Sequence, residues 1–235
     1  MSHRPVVFTL SFLLTFALLL PGAALVNSDS TSTYRAFRLG ESAADVAKQA
    51  GTPASGTRST ATRPNRVEEL DWRTTLYPVS TSGASKPDSV RQILFRFYNG
   101  SLFEMDVTYD RDQTSGLTDT DMTEALSAIY GPASAPVSKE ISFDSGFPGN
   151  VRAIAQWGGP QSLLSLVGFP YGDGFGVVVS SPADQTAARL ALLESDRLDL
   201  AEAPQKELDR QAKRMADAQA SDEKSRSLNK PGFRP

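Results

Sequence analysis

Apolar and polar residues alternate along several short stretches of this chain, which is the pattern of β-strands with one face turned toward a core. Six such stretches fall into two groups of three: 67–74, 90–97 and 101–110, then 151–157, 161–169 and 175–181. Gly-bearing turns join the last two stretches of each group, as in β-hairpins. The pattern therefore predicts two three-stranded antiparallel meanders.

A short helix is predicted before each meander. In both places a capping residue is followed three positions later by Asp, and a Gly with Pro close behind ends the pattern. These signals are Ser42, Asp45, Gly51 and Pro53 for a helix at 43–50, and Thr118, Asp121, Gly131 and Pro132 for a second helix. On the second helix Met122, Leu126 and Ile129 share one face, which we expect to be buried.

The same order of elements in both halves indicates an internal duplication. The predicted fold class is α+β: two tandem repeats of a short helix followed by a three-stranded antiparallel meander, plus a C-terminal helical extension. The expected boundaries are 1–24 for a signal peptide, 25–33 for a flexible leader, 34–112 and 113–182 for the repeats, 183–220 for C-terminal helices and 221–235 for a disordered tail.

The register of the first hairpin follows from its apolar positions. A three-residue loop at 98–100 sets Phe95 opposite Phe103 and keeps the odd-numbered apolar residues on one face. The other face then carries Arg96, Glu104 and Asp106, which we expect to form an exposed polar surface.

The second hairpin is apolar on both faces. A five-residue loop sets Phe169 opposite Phe175 and Val167 opposite Val177, and leaves Leu164, Leu166 and Val178 on the other face. A sheet that is apolar on both sides must be covered on both sides, here by the helix at 183–200 or by a partner. The candidate protein-binding surface is Leu164, Leu166, Val178, Arg96, Glu104 and Asp106.

The last part of the chain is predicted to hold two helices. Leu190, Leu193 and Leu200 recur near one face of the first helix, at 183–200. Pro204 suits the first turn of a second helix, at 205–220. The apolar face of that second helix is thin, so we interpret it as solvated, with a partner-binding helix as the alternative.

The N-terminus has the order of a secretory signal peptide. A weakly basic start precedes an uncharged apolar stretch at 6–20, and small residues follow it. We expect cleavage after Ala24 and a location in the periplasm or outside the cell, with no membrane span after cleavage. The alternative is an uncleaved anchor, because the uncharged stretch is just long enough to span a bilayer.

Composition excludes several kinds of chemistry. The chain has no Cys, one His and a formal net charge of −3. Once His3 leaves with the signal peptide, Ser-His-Asp triads, Cys-His pairs and zinc sites built on His or Cys are excluded. No basic stretch attracts nucleic acid. We expect no cofactor, no metal site and no catalytic residue.

Two carboxylate patterns remain as alternatives. Asp110 to Asp121 has oxygen ligands at nearly the spacing of a calcium loop, although Gly116 is at position seven and Asp121 stands where a bidentate Glu is needed. Glu104, Asp106 and Asp110 supply the carboxyl groups that a glycoside hydrolase requires. A capped turn and a polar strand face explain these residues without catalysis.

The segment from Leu39-Gly40 to Gly51-Thr52-Pro53, then Trp72, then Phe97 to Leu102, resembles the SmpA/BamE family of bacterial envelope proteins. The duplicated form resembles the β-lactamase inhibitor protein fold. The resemblance implies a tandem helix-plus-meander fold and protein binding, and it assigns no functional residue. The BamE-like lipoproteins carry an anchoring Cys, which this chain lacks.

These observations predict an exported, non-catalytic cell-envelope protein that acts as a protein–protein interaction module. Its partner would be another envelope or secreted protein. One alternative is an inhibitor of a secreted enzyme, and another is a carboxylate-dependent glycan hydrolase. The sequence leaves the partner and the oligomeric state open.

Overall fold

The chain is a mixed α+β protein with one long antiparallel sheet, a small two-stranded sheet and a C-terminal helix. The computed structural model describes residues 30–74, 88–134, 140–141, 151–169, 174–232 and 234, with the backbone alone at 140–141. The predicted signal peptide and the leader up to residue 29 lie outside the described residues.

The α-helices are α1 (Ala43–Gln49), α2 (Arg111–Thr114), α3 (Asp119–Tyr130) and α4 (Pro182–Asn229). The strands are β1 (Thr33–Tyr34), β2 (Phe37–Arg38), β3 (Arg58–Ala61), β4 (Val67–Arg73), β5 (Val90–Tyr98), β6 (Ser101–Tyr109), β7 (Glu140–Ile141), β8 (Val151–Gly158), β9 (Leu163–Gly168) and β10 (Phe175–Ser180). The six predicted strands are confirmed as β4, β5, β6, β8, β9 and β10.

Both predicted helix starts are confirmed. The Ser42 hydroxyl accepts from the Asp45 N–H at 3.2 Å at the start of α1. Thr118 and Asp121 form a reciprocal capping box at the start of α3, and Gly131 follows its end with a φ of 86°. The buried face of α3 differs from the predicted one, because Tyr130 is buried with Met122 and Leu126 whereas Ile129 is exposed.

The long sheet has the strand order β3-β4-β5-β6-β10-β9-β8-β7, and every pair in it is antiparallel. Seven of these strands have at least four residues, and β7 is a two-residue strand at one edge. The two meanders meet where β6 pairs with β10, with Val107 opposite Val177. The strands of the second half therefore stand in reverse chain order, from β10 beside β6 to β7 at the far edge.

The predicted loop of the first hairpin is wrong. The turn has two residues, Asn99 and Gly100, with φ values of 50° and 85°, and Tyr98 pairs with Ser101. A bulge at Phe103 then restores the apolar register, so that Phe95 lies opposite Met105 and not opposite Phe103. The extra residue of the bulge keeps Met105 and Val107 on the face of Phe95, which the three-residue loop was expected to do.

The predicted register of the second hairpin is also wrong, by one residue. Phe175 pairs with Gly168, and Val177 pairs with Leu166. Leu164 and Leu166 therefore share the face of Val177 and Val179, while Val178 points to the opposite face. Both faces of this hairpin are nevertheless buried, as its apolar pattern predicted.

The principal core lies on the face of the sheet that α1 and α3 cover. It contains Val46 of α1, Phe95 of β5, Met105 of β6 and Trp157 of β8, all essentially inaccessible to solvent. The Trp157 indole N–H donates to the Gly131 carbonyl oxygen at 2.8 Å, which ties β8 to the end of α3. We call this the helix face, and the opposite one the outer face.

On the outer face, α4 packs against β3, β4, β5 and β6. Ala188 and Ala191 of the helix meet Ala61, Val67 and Phe103 in a second apolar cluster. The expectation that this helix covers the second meander is therefore wrong. The outer face of the second meander carries its own cluster of Val151, Val167 and Val178, packed with Phe169.

One continuous helix replaces the two predicted C-terminal helices and continues through most of the expected disordered tail, to Asn229. Pro204 lies inside this helix. Lys206 bridges Asp199 at 3.0 Å and Glu202 at 3.3 Å, and Arg63 binds the same two carboxylates. These ion pairs span the proline and hold the helix on both sides of it.

Candidate functional site

A cleft of about 610 Å³ opens beside α3, where the β1–β2 turn and the end of β6 approach the helix. We call it the tyrosine cleft, because Tyr34, Tyr109 and Tyr130 line it together with Met122 and Leu126. Its other lining residues are Ser30, Thr33, Arg35, Ser89, Gln113, Thr114, Leu117, Ala125 and Ile129.

Local structure places each tyrosine. Tyr34 ends β1 before a tight turn in which Arg35 has a φ of 56°, Tyr109 ends β6, and Tyr130 ends α3. The Tyr34 hydroxyl donates to the Tyr109 hydroxyl at 3.3 Å. The Tyr130 hydroxyl donates to the Thr33 carbonyl oxygen at 3.3 Å. The three rings thus join the turn, the sheet and the helix around one cavity.

The tyrosines stay neutral at ordinary pH. Burial raises the pKa of Tyr34 and of Tyr109 above the usual range, and burial raises the pKa of Tyr130 to about 12. The cleft therefore offers aromatic surface and neutral hydroxyl groups. These groups suit apolar contact with directed hydrogen bonds and do not suit the abstraction of a proton at neutral pH.

One ion pair fixes the charge at the rim of the cleft. The Arg35 guanidinium donates to both carboxylate oxygens of Asp88, at 2.9 and 2.6 Å, and lies 5.8 Å from the centre of the Tyr34 ring. The hydrogen bond from Arg35 holds the pKa of Asp88 below its usual value. Arg35 is the one charged side chain among the described residues that line the cleft.

The rim also exposes apolar side chains to solvent. Ile129 is 70% exposed and Leu117 is 43% exposed, and both lie beside the buried tyrosines. A concave apolar site with a few convergent polar groups is the usual form of a binding site. This arrangement can accept an apolar group of a ligand and align it with the tyrosine hydroxyls.

The structure buries five of the six residues of the predicted binding surface and leaves the side chain of the sixth, Arg96, 13% exposed. Leu164 and Leu166 lie in the principal core, and Val178 lies in the outer-face cluster of the second meander. Arg96, Glu104 and Asp106 share the outer face of the first meander under α4. The set is therefore divided between both faces of the sheet, and none of its members offers an open surface in this conformation.

The expectation that Glu104 and Asp106 are exposed is wrong, since they are only 1% and 2% exposed. Arg96 approaches Glu104 at 3.2 Å, Asp106 at 3.7 Å and Glu69 at 3.5 Å. The side-chain amide of Gln185, from α4, donates to Glu104 at 2.5 Å. Strand alternation correctly predicts that these groups share the outer face. That face is covered by α4, which is distant in sequence, and not by water.

Burial raises the pKa of Glu104, and the charge of Arg96 acts in the opposite direction. A buried carboxylate beside a cation is a common feature of both active sites and structural ion pairs. Here Gln185 and Arg96 occupy the Glu104 oxygens under a packed helix. The cluster is therefore part of the packing between α4 and the sheet.

Two carboxylates of the calcium-like segment, Asp110 and Asp121, act as helix caps, and Asp119 forms an ion pair with Arg152 at 2.8 Å. The Asp110 side chain accepts from the Asp112 N–H at 2.9 Å at the start of α2, and Asp121 caps α3. Within the described ranges no group of three or more His, Cys, Asp or Glu residues converges as a metal site.

Sequence reasoning missed the tyrosine cleft. It assigned Tyr109 to a strand face and Ile129 to a buried helix face, and it gave no role to Tyr34, Arg35 or Tyr130. The hydrogen bond between Tyr130 and Thr33 joins residues 97 positions apart. The spacing of apolar residues along the chain carries no information about such a contact. The available signal was that tyrosines stand at the ends of β6 and α3, both of which were predicted.

The fold and the cleft define an α+β protein with a continuous antiparallel sheet and a concave apolar site. No family model, no curated protein and no solved structure matches the chain. Among the helices of the described ranges, none is long and apolar enough to cross a membrane.

Proposed function

We propose that this chain is an exported, non-catalytic cell-envelope protein that binds another envelope or secreted protein through the tyrosine cleft. The observation that carries the proposal is the exposed pair Ile129 and Leu117 beside the buried Tyr34 and Tyr130 and the partly buried Tyr109. Tyrosine is enriched among the residues that supply most of the binding energy of protein interfaces, and exposed apolar side chains around a groove mark interaction sites.

The expected occupant is an apolar side chain or short apolar segment of the partner. The cleft volume of about 610 Å³ is large enough for several side chains. Burial of Ile129 and Leu117 against the partner supplies affinity, while the hydroxyl groups of Tyr34 and Tyr130 fix its orientation. The Arg35–Asp88 pair already satisfies its own charges, so it does not demand an ionic partner.

We also propose that the two meanders with their helices are tandem repeats of one unit. Each half has a helix, a short edge strand and a three-stranded meander, and the strand order reads the same from either edge. Such an arrangement supports the resemblance to SmpA/BamE proteins and to the β-lactamase inhibitor protein fold, and with it a binding function.

The geometry argues against glycan hydrolysis by Glu104, Asp106 and Asp110. A glycosidase needs both carboxyl groups open to the sugar. Glu104 and Asp106 are buried under α4, and Asp110 caps α2. A binding role therefore accounts for the described residues better than this catalytic one.

The test is affinity capture of the tagged protein from the envelope of its native organism, next to two variants. Ile129→Glu puts a charge at the rim of the cleft, and Leu228→Glu puts one at an equally exposed position, 69% against 70%. We expect wild type and Leu228→Glu to retain the same partner, and Ile129→Glu to retain at least tenfold less, since about 1.4 kcal/mol suffices for that.

Equal recovery of the partner with Ile129→Glu, or recovery of no protein with any of the three, would overturn the proposal. If the captured partner is an enzyme, its activity at increasing ratios of the two proteins distinguishes an inhibitor from a passive partner. The intact mass of the exported protein tests cleavage after Ala24, with Leu25 expected as the first residue.

A further inference from the structure

The helix α4 has a second apolar stripe that points away from the sheet. Its buried residues Ala188, Ala191 and Ser195 face β3 to β6. Five large apolar side chains lie on the opposite side of the same helix, each more than half exposed: Leu190, Leu193, Leu200, Leu208 and Met215. At about 100° per residue, these five fall within an arc of roughly 80°, which Arg197 and Gln211 interrupt. We call them the α4 stripe.

Four of the five residues of the α4 stripe are placed symmetrically about Pro204, and Ala218 is the counterpart of the fifth, Leu190. Leu200 and Leu208 lie four residues on either side of it, and Leu193 and Met215 lie eleven residues on either side. When two copies of such a helix pair antiparallel around this centre, Leu200 of each faces Leu208 of the other, and Leu193 faces Met215. A parallel pair would instead place each residue opposite itself.

Charges beside the α4 stripe agree with antiparallel pairing. Asp196 lies on one flank of the stripe, and Arg210 and Arg214 lie on the same flank, where both form ion pairs with Glu207, at 2.7 and 3.1 Å. In the antiparallel pair, Asp196 of one copy meets this group of two arginines and one glutamate on the other. The group is positive on balance and Asp196 is negative, so the pairing is favoured.

The charge balance also argues against a membrane as the occupant. Between residues 200 and 229 the helix carries six acidic and six basic side chains. Helices that lie on anionic membranes carry an excess of Lys and Arg on the polar face. A neutral helix with a symmetric apolar stripe fits a copy of itself better.

We propose that α4 pairs with α4 of a second copy of this chain in an antiparallel arrangement, with the two-fold axis near Pro204. The tyrosine cleft lies beside α3 and shares no residue with this surface. The inference is therefore independent of the proposed function.

Light scattering after gel filtration of the full-length protein tests the pairing. We expect wild type to have the mass of a dimer and the double variant Leu200→Glu/Leu208→Glu to have the mass of a monomer with its circular dichroism unchanged. The matched control Leu228→Glu, equally exposed on α4 but off the stripe, stays dimeric. A monomeric wild type, or a double variant that remains dimeric, would overturn the proposal.

Cysteine cross-linking tests the orientation, because the chain has no cysteine of its own. In antiparallel pairing, Pro204→Cys brings the two thiols together at the axis and forms a disulfide-linked dimer. Leu193→Cys places its two thiols about 33 Å apart along the helix and stays uncross-linked. Cross-linking of Leu193→Cys with none for Pro204→Cys would contradict the antiparallel arrangement.

Discussion

The outer faces of the two meanders are both buried, yet they are built from different side chains. In the first meander Arg96, Glu104 and Asp106 lie beneath α4, whereas in the second the corresponding face carries Val151, Val167 and Val178. Polar alternation in a strand therefore marks which side chains share a face, but it does not show whether that face meets water. An amphipathic helix from elsewhere in the chain can bury a charged face as well as an apolar one.

The difference also concerns energetics. The valine cluster gains from the removal of apolar surface from water. Arg96, Glu104 and Asp106 lose hydration when they are buried. Their ion pairs and the hydrogen bond from Gln185 offset the free energy of that loss. Such a cluster stabilises the position of α4 only while all its members are present.

The largest expected effect comes from the removal of Arg96. Arg96→Met takes away the cation that lies 3.2 Å from the buried Glu104 and 3.7 Å from the buried Asp106, so we expect the free energy of unfolding to fall by about 3–5 kcal/mol. Urea titration measures this change. Arg91→Met is the control, because Arg91 is exposed on the same strand and should change stability by less than about 0.5 kcal/mol. Equal effects of both substitutions would show that the cluster does not contribute as described.

A second variant makes the first meander resemble the second. The triple substitution Arg96→Met/Glu104→Leu/Asp106→Leu replaces three charged side chains with apolar ones, while Glu69 keeps its ion pair with Arg58 at 2.7 Å. We expect stability equal to wild type or higher by about 1–4 kcal/mol, since the three most buried charges no longer have to be dehydrated. The melting temperature measured by calorimetry checks this. A triple variant less stable than Arg96→Met would contradict the comparison.

The pH dependence of stability sharpens the comparison further. Burial raises the pKa of Glu104 in the folded chain above the value of about 4.3 in the unfolded chain. Between these two values the folded chain holds a proton that the unfolded chain has lost, so stability falls as pH rises through this window. Glu104→Gln removes this contribution. We therefore expect the difference in unfolding free energy between wild type and Glu104→Gln to shift against wild type as pH increases from about 4. A difference that stays constant with pH would contradict the buried, ionisable state of Glu104.

The smallest effect is expected from the end of α4. No residue of this helix beyond Ser195 is buried, and the ion pairs of Arg63 and Lys206 with Asp199 and Glu202 extend no further than Lys206. A chain that stops after Arg210 should therefore keep its melting temperature within about 2 °C when both proteins are compared as monomers. A decrease of 6 °C or more would show that the distal helix supports the sheet.

Much of the fold could be predicted from local patterns. Ser42 and Thr118 are capping residues with their partners three positions away, and Gly131 ends α3 as expected. The six long strands of the meanders follow from alternation. The short strands β1, β2 and β7 have two residues each, too few to show any period.

The register errors have local physical causes. The bulge at Phe103 shifts the pairing inside β6, and apolar positions alone do not distinguish a bulge from a longer loop. In the second hairpin both faces are apolar, so a slip of one residue leaves the pattern equally satisfied. Pro204 suits the first turn of a helix, so local patterns predict a break there. The ion pairs of Arg63 with Asp199 and Glu202, which stabilise the continuous helix, involve a residue far away in sequence.

The tyrosine cleft could not be predicted because tertiary contacts form it. Tyr34 and Tyr109 are joined across 75 positions, and Tyr130 meets Thr33 across 97. Helical spacing places Ile129 on the face of Met122 and Leu126, but Tyr130 fills the buried position and leaves Ile129 exposed.

The most direct test of the central claim is site-specific photo-cross-linking in the native organism. A photoreactive amino acid is placed at position 129 on the rim of the cleft or, as control, at position 228 on α4. We predict that position 129 cross-links to one protein of the envelope or the surrounding medium, and that position 228 does not give this product. The same product from both positions, or no protein adduct at position 129, would contradict a partner-binding role for the cleft.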